Sequence, residues 1–291
     1  MELASLEAVT FLCNQYNVRP DKRSGQNFLI DEAVLHAVAE AADLSSEDII
    51  LEIGPGFGVL TTELAKHAKQ VAAVEMDQRL IPALKKIARA HNNIFIHEGD
   101  IFKAWPRMAR EFPDQKYKLI SNLPYNITSL VLRLFLEQRP RPSCMVVMVQ
   151  QEVAERVTAK PGGFSLLTLA VQLYGEPNIV APVNRKCFWP EPDVDSAILK
   201  IDHIGEDADG VLKKLGPDGL PKLWQIAKIG FSARRKQLHN NIASGLRLPD
   251  QKVREILENN GLNPRARAQE LSVVDWVGLA RIFKKMGQSS N

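Results

Sequence analysis

The chain has 291 residues, 45% of them hydrophobic and 24% charged, a balance that suits one large or two modest globular domains with a buried core. Its longest apolar run, Cys144 to Val149, is far short of the ~18 residues of a membrane span, so no membrane partner is expected. Glu2 and Glu7 stand where a secretory signal would be basic. Cys13, Cys144 and Cys187 lack metal-ligand spacing, so the reading is a cytoplasmic protein with neither a disulfide framework nor a bound metal. Net charge is +3, unevenly spread: residues 205–291 carry 15 Lys and Arg against 9 Asp and Glu, and residues 1–204 carry 22 against 25. The basic last third predicts a polyanionic partner, with a solvated helical surface as the plainer account.

Residues 3–15 have helical apolar spacing and lead into a basic loop at Arg19, Lys22 and Arg23, then Gly25-Gln26-Asn27-Phe28-Leu29. Asp31 is placed to cap a helix whose apolar face is Val34, Ala37, Val38 and Ala41. Ile49 to Ile53 reads as a buried strand that breaks at Gly54, Gly56 and Gly58 before a helix over 59–68. A dinucleotide fingerprint needs glycine at position 59, which is Val59. The acid on the strand and the three alternate glycines instead resemble the first motif of S-adenosylmethionine-dependent methyltransferases. Gln70 to Glu75 is a second strand, and the tip of a second strand in a doubly wound sheet lies beside the first turn, where Glu75 can accept both ribose hydroxyls. A helix over 80–90 and a strand over 94–97 then reach Gly99-Asp100-Ile101. There Asp100 can accept from an exocyclic amine while Ile101 flanks the ring, although an Asp after Gly also serves turns. The repeating pattern of strand, turn and helix predicts a parallel sheet covered on both faces.

Tyr117 to Ser121 is the fourth strand and empties into Asn122-Leu123-Pro124-Tyr125. An aromatic exocyclic amine is a weak nucleophile because its lone pair is delocalised into the ring. The Asn122 side-chain oxygen and the Leu123 carbonyl can take its two hydrogens and favour a tetrahedral nitrogen, with Pro124 stiffening the turn and Tyr125 stacking on the base. Helices are expected over 129–137, 151–159 and 166–174, and a fifth strand over 144–149. Cys187 to Pro192 is a proline-rich loop whose Phe188 can pack on the base or plug the core, and 194–201 reads as a final antiparallel edge strand. The polar stretch 206–219 sets the boundary between domains 1–204 and 205–291. The helical remainder carries Arg234, Arg235 and Lys236, a cluster able to hold phosphates.

From Gly25 to Phe283 this ordered set resembles the ribosomal RNA adenine dimethyltransferase family. It is carried by Gly25 to Leu29, Glu52 to Gly58, Glu75, Gly99-Asp100, Asn122 to Tyr125, Phe188, Pro190 and Pro192, Val194-Asp195-Ser196, and Phe231 with Arg234 to Lys236. The resemblance implies an α/β fold: a Rossmann-like class I methyltransferase domain, doubly wound and mostly parallel with an antiparallel last strand, plus a small all-α C-terminal domain. It implies that Asn27, Leu29, Gly54, Gly56, Gly58, Glu75, Asp100, Ile101 and Asn122 hold S-adenosylmethionine. Asn122, Leu123, Pro124, Tyr125 and Phe188 would serve the target adenine, and Arg234, Arg235 and Lys236 would bind RNA. The implied reaction is dimethylation of the N6 amine of two adjacent adenosines near the 3′ end of small-subunit rRNA, with the 30S subunit as partner and no obligate protein partner. A macrolide-resistance-type methyltransferase of large-subunit rRNA and a noncatalytic assembly factor on the same fold are the alternatives. Two departures stand out: a short segment at 160–165, and Ser121 where the family has glycine.

Overall fold

The computed structural model describes residues 3–21, 25–111, 116–205, 210, 215–216 and 218–288, in two units: residues 1–154 with 176–204, and residues 155–175 with 205–291. In the first unit the apolar run becomes β2 (Ile49–Ile53), buried along its whole length, with neighbours paired on both of its edges and Ile50 packed in an apolar cluster with helical side chains. The other strands are β1 (Phe28–Leu29), β3 (Gln70–Glu75), β4 (Ile94–Glu98), β5 (Tyr117–Asn122), β6 (Cys144–Gln150), β7 (Glu176–Val183), β8 (Phe188–Trp189) and β9 (Ser196–Asp202). Seven of them form one sheet in the order β4-β3-β2-β5-β6-β9-β7, parallel from β4 to β6 and antiparallel across β9 and β7. The chain order reverses between β2 and β5, which opens a crevice at the strands' carboxyl ends.

The expected helices lie where the spacing puts them: α1 (Leu6–Gln15), α2 (Glu32–Ala41), α3 (Val59–His67), α4 (Ile81–Ala90) and α6 (Thr128–Glu137), while α5 (Ile101–Met108), which follows β4, is not among the expected helices. Asp31 caps α2 by accepting from Val34 N at 3.1 Å. One apolar cluster joins α2 and α3 to the sheet through Val38, Leu60, Leu64, Ile50, Val146 and Ile198. Another gathers Val9, Cys13, Phe28, Phe57, Leu80 and Leu84. Each buried aliphatic chain contributes about 1.5–3 kcal/mol against exposure.

The sheet departs from expectation at its antiparallel end. β9 is not an edge strand, since it lies between β6 and β7. The edge is β7, which the sequence pattern passes over because it contains Pro177 and Pro182 and exposes most of its residues. The loop after Cys187 also differs, pairing as β8 antiparallel with β1.

The second unit holds α8 (Leu166–Gln172), α9 (Gly219–Gly230), α10 (Leu238–Leu246), α11 (Asp250–Glu258) and α12 (Val273–Gln288), and α7 (Gln151–Val157) ends in it. Residues 155–175 group here rather than with 1–204. Gly162 N and Phe164 N donate to the Gln269 carbonyl at 2.7 and 3.3 Å, and Gln172 Nε2 ties the segment to itself through the Val157 and Ala159 carbonyls. Much of the polar stretch 206–219 lies outside the described residues.

The turn after β2 sets the crevice. Gly54, Gly56 and Gly58 all have left-handed backbone, with φ of 69°, 61° and 76°. A Cβ at Gly58 would also approach Ile87 Cδ1 to 2.8 Å. Gly58→Ala is expected to lower stability by about 1–2 kcal/mol from backbone strain alone, read as a shift of the denaturant midpoint at constant slope.

Candidate active site

A cavity of about 380 Å³ occupies the crevice, lined by residues 25–29, the glycine turn, the tips of β3 and β4, and Asn122 to Tyr125. Its walls are hydrogen-bonded to one another. Gly54 N donates to Val74 O at 2.9 Å, Gly56 N to Glu75 Oε2 at 3.3 Å and Asp77 N to Glu75 Oε1 at 2.7 Å. Glu75 is 6% exposed; burial raises its pKa and the peptide N–H groups partly counter that. The N–H groups of Asp77, Gly56 and Met76 thus hold the carboxylate at the cavity wall, with acceptor capacity left on its oxygens. Asp77 sits beside it, its carboxyl held down at about 2 by the Arg79 guanidinium and by Gln26. Asp100 caps α5 by accepting from Phe102 N at 2.9 Å while lining the cavity, and the neighbouring Ile101 is buried.

The acceptor turn is fixed from three directions. Ser121 Oγ donates to the Ile53 carbonyl at 2.6 Å, so this serine binds the end of β5 to the end of β2. Asn122 Nδ2 donates to the Asn27 carbonyl at 3.1 Å, which sets the amide's orientation; among the described residues its Oδ1 takes no hydrogen bond. Leu123 is buried and its N–H reaches Met148 O at 3.3 Å. Pro124 packs where a Cβ on Gly54 would meet it at 3.5 Å, and Tyr125 lines the cavity with its hydroxyl 2.6 Å from Ser196 Oγ.

Asn27, Leu29, Gly54, Gly56, Glu75, Asp100, Ile101, Asn122, Leu123, Pro124 and Tyr125 therefore share one cavity. Gly58 does not line it but starts α3 just behind the turn. Phe188 is not brought to the cavity: it is 2% exposed in the core, paired with Leu29 across β1 and β8. Its burial follows from that pairing, which turns the ring into the apolar cluster under α2.

Glu52, read from the sequence as the motif acid, is given no role of its own there, yet it lines the cavity. Glu52 is 1% exposed, and neither its Oε2 nor the Thr61 hydroxyl reaches a hydrogen-bond partner among the described residues. Desolvation drives its carboxyl up to about 8, partly countered by the nearby Thr61 hydroxyl and aided by a smaller push from the Glu75 charge. The signal was present as the one acid in the apolar run 49–53.

In the second unit Arg234, Arg235 and Lys236 lie in the turn between α9 and α10, not on a helix. Buried Asn241 braces that turn, donating to Gly230 O at 2.6 Å and Ala233 O at 3.1 Å, and Phe231 stacks on Trp276 with centroids 5.2 Å apart. All three cations are exposed and, among the described residues, make no ion pair.

Because the folded-state pKa of Glu52 lies above its ordinary value of 4.5, the native state holds its proton between about 4.5 and 8 while the unfolded chain releases it. Its contribution to stability is thus full below about pH 4.5 and is lost as pH rises toward 8. Glu52→Gln is expected to stabilise the ligand-free protein at pH 8 by on the order of 4 kcal/mol, and to do little at pH 4. Thermal melts across that range check the sign.

A family model described as ribosomal RNA adenine dimethylase matches residues 18–285. The chain is 43% identical over 272 residues to ribosomal RNA small subunit methyltransferase A of Dehalococcoides mccartyi, covering 92% of this chain and 90% of that protein. The protein of the same name from Pelotomaculum thermopropionicum is 38% identical, with 98% of each chain covered. Among solved structures, a dimethyladenosine transferase from Plasmodium falciparum superposes with a TM-score of 0.74 at 30% identity, covering 89% of this chain and 98% of that one. The 23S rRNA methyltransferase ErmE does so at 0.67 and 29%, with the same coverage. With a glycine turn, an acidic strand tip and an asparagine-led acceptor turn around one cavity, and a family model spanning nearly its whole length, the chain belongs to the ribosomal RNA adenine dimethylases.

Proposed function

We propose that this protein dimethylates adenine N6 amines in ribosomal RNA, and that its substrate is a pair of adjacent adenosines near the 3′ end of the small-subunit rRNA, presented by the 30S subunit during its biogenesis in the cytoplasm. S-adenosylmethionine supplies a methyl group already activated on a sulfonium. The residues present fit that group: the Glu75 oxygens line the cavity and can accept from a diol, the glycine turn leaves room for close backbone approach, and among the described residues the buried Glu52 Oε2 takes no hydrogen bond. Asp100, with Oδ2 outside its capping bond, would take the base's amine, while Ile101 flanks the ring.

The observation that carries the catalytic reading is the bond from Asn122 Nδ2 to the Asn27 carbonyl. With its nitrogen engaged, the amide presents Oδ1 as an acceptor for the target amine. Withdrawing N–H density there pyramidalises the nitrogen and returns its lone pair for attack, so no strong base is needed before transfer. Tyr125 would stack on the base, and positioning supplies most of the acceleration. Phe188 would reach the base only if the β1–β8 pairing rearranged, so its role is assigned to holding Leu29 and the segment that carries Asn27.

Arg234, Arg235 and Lys236 are assigned to RNA phosphates, their braced turn holding three exposed cations together. The small-subunit choice is supported by the names carried by the bacterial relatives, and likeness to a 23S rRNA enzyme makes large-subunit rRNA the reading to test against it. No described helix is long and apolar enough to cross a membrane.

Labelled methyl from S-adenosylmethionine should enter undermodified small subunits and not large subunits; the reverse would sink the small-subunit assignment. Asn122→Ala should lower the turnover roughly 10–100-fold through loss of one amine acceptor while S-adenosylmethionine binding stays near wild type. Near-wild-type turnover would remove Asn122 from the mechanism. Replacing Arg234, Arg235 and Lys236 together by Ala should reduce the log-log salt slope of RNA binding by about 2–3. An unchanged slope would show that these cations do not touch phosphate.

A further inference from the structure

Tyr125 is held at both ends. Its backbone follows Pro124 in the acceptor turn, and its hydroxyl lies 2.6 Å from Ser196 Oγ. Ser196 is fully buried at the start of β9, where its backbone pairs with Gln150 of β6 on one side and Val183 of β7 on the other. The preceding Asp195 is anchored as well: its Oδ1 accepts from Arg185 N at 2.9 Å and its carbonyl accepts from Gln151 N at 3.0 Å. The serine hydroxyl is thus a fixed point inside the sheet, whereas the half-buried tyrosine ring forms part of the cavity wall. A ring held only at Cβ samples several staggered and broad torsional wells; one held also at its hydroxyl keeps a single orientation.

We propose that Ser196 is a positioning residue for methyl transfer, fixing through its hydrogen bond to Tyr125 the wall against which the target adenine lies, and thereby favouring the second methylation. This rests on the reading above that Tyr125 faces the base. In each transfer the amine nitrogen's lone pair forms the new N–C bond as the C–S bond breaks, the C–S electron pair stays on sulfur, and an amine proton leaves to water. The first transfer starts from an amine with two equivalent hydrogens, so either can be turned aside. The second starts from an amine that bears a methyl, which must point away from the donor while the remaining hydrogen meets an acceptor. Fewer base orientations are productive then, and a loosened wall slows the second transfer more than the first.

The test uses the full-length protein, S-adenosylmethionine and small ribosomal subunits lacking these methyl groups, with mono- and dimethyladenosine quantified over time. Ser196→Ala and Tyr125→Phe remove the same bond from opposite sides, and the second leaves the strand untouched, so a folding defect in the first cannot mask the result. Each is expected to slow the second transfer roughly two- to tenfold, the worth of one neutral hydrogen bond, and to raise the monomethyl share, with cofactor affinity unchanged. The double variant is expected to be no worse than the weaker single, as for two halves of one interaction. A wild-type product ratio in Tyr125→Phe, or losses that multiply in the double variant, would overturn the proposal. Wild-type turnover in Tyr125→Ala would instead overturn the assignment of Tyr125 to the base.

Discussion

The cavity depends on a backbone conformation that only glycine adopts without strain. At the end of β2 the chain turns through three left-handed residues, and its amides are paired with the next strand by Gly54 N to Val74 O and Gly56 N to Glu75 Oε2. That pairing aims the Glu75 carboxylate, and it places Gly54 against Pro124 of the acceptor turn. The glycine turn and the turn at Asn122 to Tyr125 are therefore built on one another. Ser121 completes the connection by reaching the Ile53 carbonyl from β5, so the two strand ends that flank the switch point are joined directly as well as through the sheet.

Polarity in this cavity is distributed unequally. Glu75 is buried but receives peptide N–H groups, and Asp77 is held ionised by Arg79 and Gln26. Glu52 receives no peptide N–H among the described residues, its Oε2 is unpartnered, and the Thr61 hydroxyl only partly counters its desolvation. A buried acid so weakly compensated in the centre of a sheet is a strain that stability alone would not select. It fits a floor meant to face a cationic ligand, whose charge would offset the penalty that the ligand-free protein bears.

Much of this was legible in the residues. Periodicity placed the strands and, α5 excepted, the helices of the parallel half because each is buried along a continuous apolar run or stripe, as in β2 and β6. The glycine spacing, Glu75 and Asn122 to Tyr125 could be assigned to one cavity because a doubly wound sheet brings the tips of successive strands together. Three things were not legible. β7 hid behind two prolines and an exposed surface, and β9 was consequently taken for the edge. The burial of Phe188 depends on a two-residue pairing with β1 that no local pattern announces. The segment 155–175 groups with the second unit through bonds to Gln269, about a hundred residues later in the chain, a contact beyond the reach of any local composition shift.

The prolines of β7 bear on more than recognition. An exposed outer strand presents unpaired amide and carbonyl groups to any other sheet, and Ile179 and Val180 add apolar side chains to that border. Pro177 and Pro182 each withdraw one N–H from the strand, and the register shift between Ile179 and Ala181 bends it. The border is thus a poor template for addition of a foreign strand. The irregularity that concealed β7 from a periodic reading is the same feature that guards this border of the sheet against pairing with another copy.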